Sequence, residues 1–442
     1  MRALLIAVGS RGDAEPFCAL GSELIAHGHA VDLFLQDDLR ALSPPGAALH
    51  RLPFAQADFY NFVGAPTHGA DHPNPRVRFV GVVADIIAEL VLPCMADVLA
   101  AGSEASVVVA SSLARPLGIL ASRKLCIPVC LVNLQPLAPT AAFPHSSDTE
   151  ACVDAIIRGA PGSPANAESY WTLERFQDEF MGKRLAAACE ELGAPPVDFE
   201  GYLKPAYAGE LDGVIVATAV CEQLVPFPTD IGPNSHSVGA LAAHYIPDGW
   251  TPPPELEAFL ASCATPPVCV GYSSMPFGQV DVVLEALQAA GKQAVLVGDA
   301  LKVPDDGSAA SLWAASHVCQ VAAAPYAWLL PRCGMMLSHG GAGVVNATLR
   351  AGIPPVVTPL MGDQFFWAAL LEARHVGVRA GSSLGAGLCT EDLVEGIRRA
   401  QACLPGAQAV GEAMRAKPTG SQALVRILEH AVSEAERPSN AG

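Results

Sequence analysis

The sequence predicts an α/β protein built from two doubly wound domains. A strand–turn–helix–strand unit opens the chain between residues 3 and 35, and the pattern of a strand followed by a polar turn starts again at residue 268. Between these regions, the segment 226–254 carries seven prolines and no long periodic run, which is typical of a linker. Because alternating strands and helices form parallel sheets, we expect one such sheet on each side of the linker.

Composition places the chain among compact globular proteins. Of its 442 residues, 51% are hydrophobic and 16% are charged, which excludes a disordered protein and suits two or three domains. The net charge of −18 argues against non-specific binding of nucleic acid or of an anionic membrane surface. The 13 cysteines show no zinc-like spacing, so we expect reduced, buried thiols of a cytoplasmic protein.

The first eight residues contain a short apolar run that a polar turn follows at once. This pattern predicts a first strand and not a signal peptide. The roughly 18–20 consecutive apolar residues that a membrane-spanning helix needs are not expected in this sequence, so no transmembrane segment is predicted. The sequence leaves a monomer and a homodimer equally open.

The strongest local signal is a glycine-rich turn between a strand and a helix. Residues 334–337 are apolar, and a helical pattern with Val344, Val345 and Leu349 on one face follows. His339, Gly340, Gly341, Ala342 and Gly343 therefore lie where free backbone N–H groups and a helix dipole attract anions. The pattern predicts a phosphate site in which His339 adds a donor. A tight turn with a core histidine is the alternative.

A second polar pair follows about twenty residues later. Asp363 and Gln364 come after a short apolar strand and just before a helix, which is where open α/β sheets bind ligands. A carboxylate accepts and an amide both donates and accepts, so the pair suits a polyhydroxyl group. A turn that can bind a diphosphate, followed by a pair of side chains that can bind sugar hydroxyls, is the pattern expected of a nucleotide-sugar site.

These motifs identify a family resemblance. HGGAG at 339–343, GxPxxxxP at 352–359 and GDQxFW at 362–367 together resemble the donor-binding half of family 1 glycosyltransferases of the two-Rossmann GT-B type. The resemblance is closest to bacterial antibiotic glycosyltransferases and sterol glucosyltransferases. It implies an acceptor domain at 1–225, the linker at 226–254, and a donor domain at 255–420 that faces the first across a cleft. A last helix, at about 421–437, would cross back to the first domain.

The resemblance also implies the reaction. A nucleotide diphosphate sugar, with UDP or TDP, would serve as co-substrate without a further cofactor or a metal, and a lipophilic small molecule would be the acceptor. Transfer would invert the anomeric centre. The alternatives are a sugar-nucleotide epimerase and a catalytically silent nucleotide-sugar binding protein on the same fold.

The first turn resembles the GSRGDxxP loop of the same subgroup, whose acid is the general base. The resemblance therefore assigns that role to Asp13 and places Ser10, Arg11 and Gly12 on the donor side. A carboxylate in this position is otherwise a helix cap or a turn residue.

Two further loops resemble donor-binding loops of the family. Ser273 and Ser274 match the serine of an FGSM loop that helps hold the phosphates, although an ordinary hydroxyl turn has the same sequence. Pro325 and Trp328 lie in a segment that resembles the nucleobase loop, although Trp328 also suits a core position. The chain departs from the family at Val344 and Val345, where hydroxyl residues are frequent, at Ala347, which replaces a ribose-binding glutamate, and at Tyr326-Ala327.

Acceptor contacts are the least specified. The segment 135–169 is rich in small residues and proline and is expected to be a long loop or flap. Aromatic residues in and around the loops of the first domain are candidates for an acceptor pocket or for a satellite core. They are Phe59, Phe62, Phe143, His145 and Trp171. His68 and His72 suggest a metal pair, but loop chemistry with glycine and proline explains them better.

Overall fold

The computed structural model describes residues 1–62, 67–194, 196–242, 244–247, 249–272, 279–298, 301–381 and 387–436. It divides into two compact units. Unit 1 comprises Met1–Ala242 and Thr419–Gly442, and unit 2 comprises Ala243–Pro418. Each unit contains one parallel sheet with helices, so the predicted α/β fold class is confirmed.

Unit 1 is built on a seven-stranded parallel sheet. Its strands are β1 Arg2–Ile6, β2 Ala30–Gln36, β3 Ala48–Leu52, β4 Val107–Ser111, β5 Val129–Asn133, β6 Val214–Thr218 and β7 Ser235–Ser237. They lie in the order β3-β2-β1-β4-β5-β6-β7. Every residue of β4, β5 and β6 is buried, which is why these strands are continuous apolar runs in the sequence.

Helices cover both faces of this sheet. They are α1 Arg11–Ala26, α2 Gln56–Tyr60, α3 Pro75–Ile86, α4 Met95–Ala101, α5 Arg115–Leu125, α6 Thr149–Arg158, α7 Pro164–Leu192 and α8 Phe199–Ala208. A π-helical turn, Ile87–Val91, and a 3₁₀ turn, Leu92–Cys94, connect α3 to α4. The core includes Leu4, Ile6, Leu131, Phe199 and Val216.

Unit 2 is built on a six-stranded parallel sheet in the order β10-β9-β8-β11-β12-β13. Its strands are β8 Val268–Gly271, β9 Ala294–Val297, β10 Val318–Val321, β11 Met335–Ser338, β12 Pro355–Val357 and β13 Val378–Arg379. Its helices are α9 Pro254–Ser262, α10 Val280–Ala289, α11 Ala309–His317, α12 Tyr326–Leu329, α13 Ala342–Ala351, α14 Gln364–Ala373 and α15 Thr390–Arg415. Two core clusters, one on each face, bury this sheet.

Two segments differ from their prediction. The first half of the expected linker contains β7, which pairs with β6 at the sheet edge. The strand has only three residues, all polar, so the sequence pattern did not indicate it. The expected loop at 135–169 contains α6 and the start of α7. Ser163 caps α7 by accepting from the Ala165 N–H, and Pro164 occupies its first turn, so the proline marks a helix start and not a flap.

The apolar segment between residues 75 and 104 also differs from the prediction, which expected no stretch able to span a membrane. It forms one helical run of 30 residues that is long and apolar enough to cross a membrane, by length and composition only. The sequence expectation missed this run because prolines and polar residues interrupt it. Half of the apolar window is buried inside the protein, as in the core helix of a soluble protein, so the run is weak support for a membrane span.

The last helix, α16 Gly420–Glu436, belongs to unit 1 although it follows unit 2 in the chain. It packs against α1, with Leu424, Val425 and Leu428 fully buried. The Glu429 carboxylate lies 2.8 Å from Nε2 of His29, just before β2. The apolar face of α16 therefore completes the core of unit 1.

We predict that Leu424→Ala destabilises unit 1 by about 2–5 kcal/mol, because it leaves a cavity under α16. Hydrogen exchange read by mass spectrometry should show faster exchange in α1 and in α16. The control is Arg426→Ala on the exposed side of α16, which should change stability by less than about 0.5 kcal/mol. Faster exchange confined to unit 2 would contradict the assignment of α16 to unit 1.

Candidate functional site

The turn after β1 holds the expected catalytic acid at the start of a helix. Ser10 is the N-cap of α1, and its Oγ accepts the N–H of Gly12 at 3.1 Å. Oδ2 of Asp13 accepts the Ser10 N–H at 2.7 Å and the Ser10 hydroxyl at 2.9 Å. This reciprocal arrangement is a capping box, which satisfies backbone groups at the helix start. The capping role that the sequence left open is thus present in the structure.

The same bonds leave part of the Asp13 carboxylate available. Oδ1 accepts no hydrogen bond from any residue that the structure describes. Burial raises the pKa of Asp13 above its ordinary value, and the hydrogen bonds from Ser10 oppose that shift. A fixed carboxylate with one open oxygen and a raised pKa can accept a proton better than an ordinary aspartate.

Gly9 and Gln36 shape the turn around this carboxylate. Gly9 has φ +139°, and a Cβ there would lie 2.3 Å from Oδ2 of Asp13, so a side chain would displace the acid. Oε1 of Gln36, at the end of β2, accepts the Gly9 N–H at 2.6 Å. Nε2 of Gln36 is buried without a partner among the described residues. Gln36 could not be predicted from a local pattern, because only strand pairing brings it to this turn.

Arg11 and Gly12 occupy the exposed side of the first turn of α1. The Arg11 guanidinium lies 3.6 Å from the Glu15 carboxylate on the same helix. The Ser10 hydroxyl is already engaged with Gly12 and Asp13. The expected donor contacts of Ser10, Arg11 and Gly12 stay predictions.

The turn after β11 has the geometry of an anion site. Gly341 is the N-cap of α13 and offers no side chain to satisfy the first N–H groups of the helix. Gly340 has φ +83°, and a Cβ there would lie 2.3 Å from Cγ1 of Val357 on β12. A Cβ at Gly343, inside the first turn of α13, would meet no atom within 4 Å. The helix start is therefore uncapped and has open space beside it.

His339 lies beside this helix start in a neutral state. Its Nε2 faces Gly341, where a Cβ would lie 2.9 Å away, and its Nδ1 is buried without a partner among the described residues. Burial lowers the pKa of His339 to about 4, so the imidazole is uncharged near neutral pH. It can therefore donate an N–H to an anion but brings no positive charge of its own.

Hydrogen bonds of hydroxyl and backbone groups connect the strand ends next to the His339 turn. The Tyr272 hydroxyl lies 2.8 Å from Oγ1 of Thr358, and the Thr358 N–H donates to the Ser338 carbonyl at 2.9 Å. The Tyr272 ring lies 6.5 Å from the His339 ring. These residues come from the ends of three neighbouring strands, which sequence reasoning did not connect. Val344 and Val345, noted as departures from the family, are buried in the core.

Asp363 and Gln364 lie at the start of α14, and one side-chain oxygen of each already accepts hydrogen bonds from the protein. Oδ2 of Asp363 accepts the indole N–H of Trp367 at 2.8 Å, one helical turn later. Oε1 of Gln364 accepts the N–H groups of Leu360 and Met361 at 2.8 and 2.9 Å. The pair thus fixes the loop before α14, and its predicted contacts with sugar hydroxyls remain to be tested.

The expected nucleobase loop forms α12. Pro325 is its N-cap. The Trp328 ring is half-buried, with the Arg332 guanidinium 4.1 Å above it and the Trp250 ring 5.3 Å away. The Tyr326 hydroxyl occupies the space of a Cβ at Gly271, the end of β8. Ser273 and Ser274 lie outside the described residues.

The acceptor candidates separate into packed and partly open groups. Phe143 is buried, and its carbonyl lies within 3.4 Å of the Tyr170 hydroxyl. Phe59 packs against Phe54 with ring centroids 5.9 Å apart, and Trp171 packs against Tyr207 at 6.3 Å. Phe62 is half-buried after α2. These contacts favour a satellite core for Phe59 and Trp171.

His145 is held in one tautomer. The Ser147 N–H donates to its Nδ1 at 3.1 Å, so in the neutral ring Nε2 carries the proton. Burial lowers the pKa of His145 to about 4, and the Arg76 cation adds to the shift. His145 is therefore a neutral donor and not a ready base near neutral pH.

The histidine pair of the first loop has separate partners. Nδ1 of His68 lies 2.5 Å from Oδ1 of Asp85, whereas Nδ1 of His72 accepts the Asn74 N–H at 3.1 Å. Within the described part of the chain, no group of three or more potential metal ligands comes together. The two histidines therefore have different partners, and the loop interpretation stays a prediction.

Comparison with known proteins shows which proteins this chain resembles. No protein-family model matches the chain. The O-mycaminosyltylonolide 6-deoxyallosyltransferase of Streptomyces fradiae is 28% identical over 98% of this chain and 98% of its own length. The sterol 3-beta-glucosyltransferase UGT80B1 of Arabidopsis thaliana is 24% identical over 85% of this chain. The chain spans 59% of that protein and 30% of the sterol 3-beta-glucosyltransferase of Aspergillus clavatus.

Solved structures show the same fold. The spinosyn rhamnosyltransferase SpnG has a TM-score of 0.63 and 18% identity over 97% of this chain and 100% of its own. The calicheamicin glycosyltransferase CalG4 has a TM-score of 0.61 and 16% identity over 99% of this chain and 100% of its own. The predicted GT-B fold is confirmed by these structures. The predicted resemblance to antibiotic and sterol glycosyltransferases is confirmed by the relatives, which are glycosyltransferases by name.

We predict that Gly340→Ala lowers the stability of unit 2 by about 2–5 kcal/mol. The alanine must adopt a left-handed backbone conformation, and its methyl group also collides with Val357. Gly343→Ala is the matched control three residues later. Its methyl group meets open space in a helix, so stability should stay constant or rise by up to about 1 kcal/mol. Denaturant unfolding measures both, and equal effects would contradict the described turn.

Proposed function

We propose that this chain, a glycosyltransferase of the GT-B fold, transfers a hexose from a UDP- or TDP-sugar to a hydroxyl of a lipophilic small molecule with inversion. The observation that carries the proposal is the Asp13 carboxylate, which Ser10 fixes through one oxygen while the other stays open.

Asp13 would act as general base. Its Oδ1 would take the proton of the acceptor hydroxyl while the acceptor oxygen forms its bond to the anomeric carbon. The bond from that carbon to the diphosphate would break in the same displacement, which inverts the anomeric centre. The raised pKa of Asp13 increases its basicity, and general-base help of this kind contributes about 10²–10⁴-fold in rate.

The start of α13 would bind the leaving diphosphate. Its uncapped N–H groups and helix dipole supply positive potential, and His339 adds an N–H from a neutral ring. Because these groups stabilise the negative charge that develops on the diphosphate, we propose that transfer needs no metal ion.

The similar proteins support the class of both substrates. The Streptomyces sp. SF2575 glycosyltransferase SsfS6 was solved with thymidine diphosphate and has a TM-score of 0.62 to this chain, with 18% identity. Another structure of this fold, Arabidopsis thaliana UGT89C1, contains UDP-L-rhamnose and has a TM-score of 0.59. The names of the relatives point to sterols and antibiotics as acceptors. A lipophilic alcohol is therefore the acceptor class that we propose.

For the donor, we predict that Gly343→Ala weakens TDP and UDP binding by about 5- to 150-fold, because its methyl group enters the space that the diphosphate would fill. Calorimetry on the folded variant measures this. The control is Gly182→Ala, whose methyl group also meets no atom within 4 Å but lies on α7 of unit 1. Unchanged affinity in Gly343→Ala would place the diphosphate elsewhere.

For the base, we predict that Asp13→Asn lowers transfer by about two to four orders of magnitude. The asparagine keeps an oxygen for Ser10 but cannot take a proton. TDP binding and melting temperature should hardly change. Product formation from a UDP- or TDP-hexose, assayed with EDTA present, is the measurement.

The matched control is Asp58→Asn. Asp58 occupies the same third position of a helix, α2, and its Oδ2 accepts the Ala55 N–H at 2.8 Å. This variant should keep full transfer. Near-normal turnover in Asp13→Asn would mean that Asp13 only caps the helix, and it would favour a nucleotide-sugar binding protein. Loss of activity on adding EDTA would refute the proposal that transfer needs no metal ion.

A further inference from the structure

A small cavity lies at the carboxyl edge of the sheet of unit 1, beyond the ends of β5, β6 and β7. Its volume is about 20 Å³, which holds one water molecule or one small substituent. Proline, aliphatic and aromatic side chains form most of the wall, among them Pro136, Phe143 and Pro226. Thr218 and Ser237 are its hydroxyl residues, and β6–β7 pairing places them side by side.

Thr218 gives this cavity an unused hydrogen-bonding group. The residue is 7% exposed, and its Oγ1 has no partner among the described residues. A buried hydroxyl without a partner is unfavourable, so most buried hydroxyls are paired. Thr140 of the same unit shows the ordinary case, since its hydroxyl donates to Oδ1 of Asp230 at 2.6 Å. The Thr218 hydroxyl therefore lacks a partner that a bound molecule can supply.

The cavity lies on the same sheet edge as the Asp13 turn. Asp13 follows β1, Thr218 ends β6, and the order β1-β4-β5-β6 separates them by three strand spacings. At about 4.8 Å for each spacing, the two points lie about 14 Å apart along the edge. A molecule about 14 Å long therefore matches the separation of the two points.

We propose that this cavity is a second anchoring point for the acceptor and binds an oxygen-bearing group at the end remote from the reacting hydroxyl. The acceptor class is then an elongated lipophilic molecule with an uncharged oxygen function, a hydroxyl or a carbonyl, about 14 Å from the hydroxyl that is glycosylated. A charged end group does not fit, because these apolar walls would strip its water without pairing it. This inference rests on the proposed function and deepens it.

The test uses the full chain without donor and two series of probes, the 1-alkanols from octanol to hexadecanol and the α,ω-diols of the same chain lengths. The wild-type protein should bind the diol of spanning length more tightly than the matching alcohol by about 2- to 12-fold, the range of one net hydrogen bond. Thr218→Val should abolish this preference. It should not lower the melting temperature, because valine keeps the shape and removes an unpaired hydroxyl.

Thr140→Val is the matched control. It removes a hydroxyl that is already paired, so the melting temperature should fall while the diol preference persists. A diol preference that is absent in the wild type, or equal in the wild type and in Thr218→Val, overturns the anchoring point. These outcomes are distinct from failure of the proposed function, which would appear as absent TDP binding or as normal transfer by Asp13→Asn.

Discussion

Both sheets are entirely parallel, and this constraint decides where chemistry can occur in the molecule. Parallel strands are buried on both faces, so polar groups are excluded from most of their length. The strands of each sheet end at one edge, and the helices that follow begin there. The Asp13 turn and the His339 turn both occupy this kind of position, one in each unit. Side chains that are far apart in sequence meet at the edge because strand pairing brings them there.

At both turns a glycine makes room for a neighbour. Gly9 leaves space for the Asp13 carboxylate, and Gly340 leaves space for Val357 on the next strand. Neither turn tolerates a side chain, and in both the glycine has a positive φ. The consequence for function is rigidity, since close packing fixes the carboxylate and the start of α13 before any ligand binds. Groups that are positioned in advance stabilise charge without reorganisation.

The sequence predicted most of this arrangement because its signals are local. Continuous apolar strands and glycine-rich turns predicted the strand–turn–helix units, and the motif resemblance then supplied the family. Groups joined by strand order could not be predicted in this way. Gln36 reaches Gly9 from a neighbouring strand, and Tyr272 reaches Thr358 across 86 positions of the chain. Strand β7 was missed because three polar residues carry no periodic signal.

The position of α16 affects how the protein can fold during synthesis. This helix covers α1, yet the ribosome makes it only after all of unit 2, which is roughly 180 residues long. Roughly 400 residues separate α1 from α16, so at about 5–20 residues per second the apolar face of α1 stays uncovered for roughly 20–80 s. Unit 2 can close its own sheet in this interval, whereas unit 1 stays incomplete although its sequence emerges first. Chaperones that bind apolar surface therefore have a defined target in the nascent chain, the face of α1 against which α16 later packs.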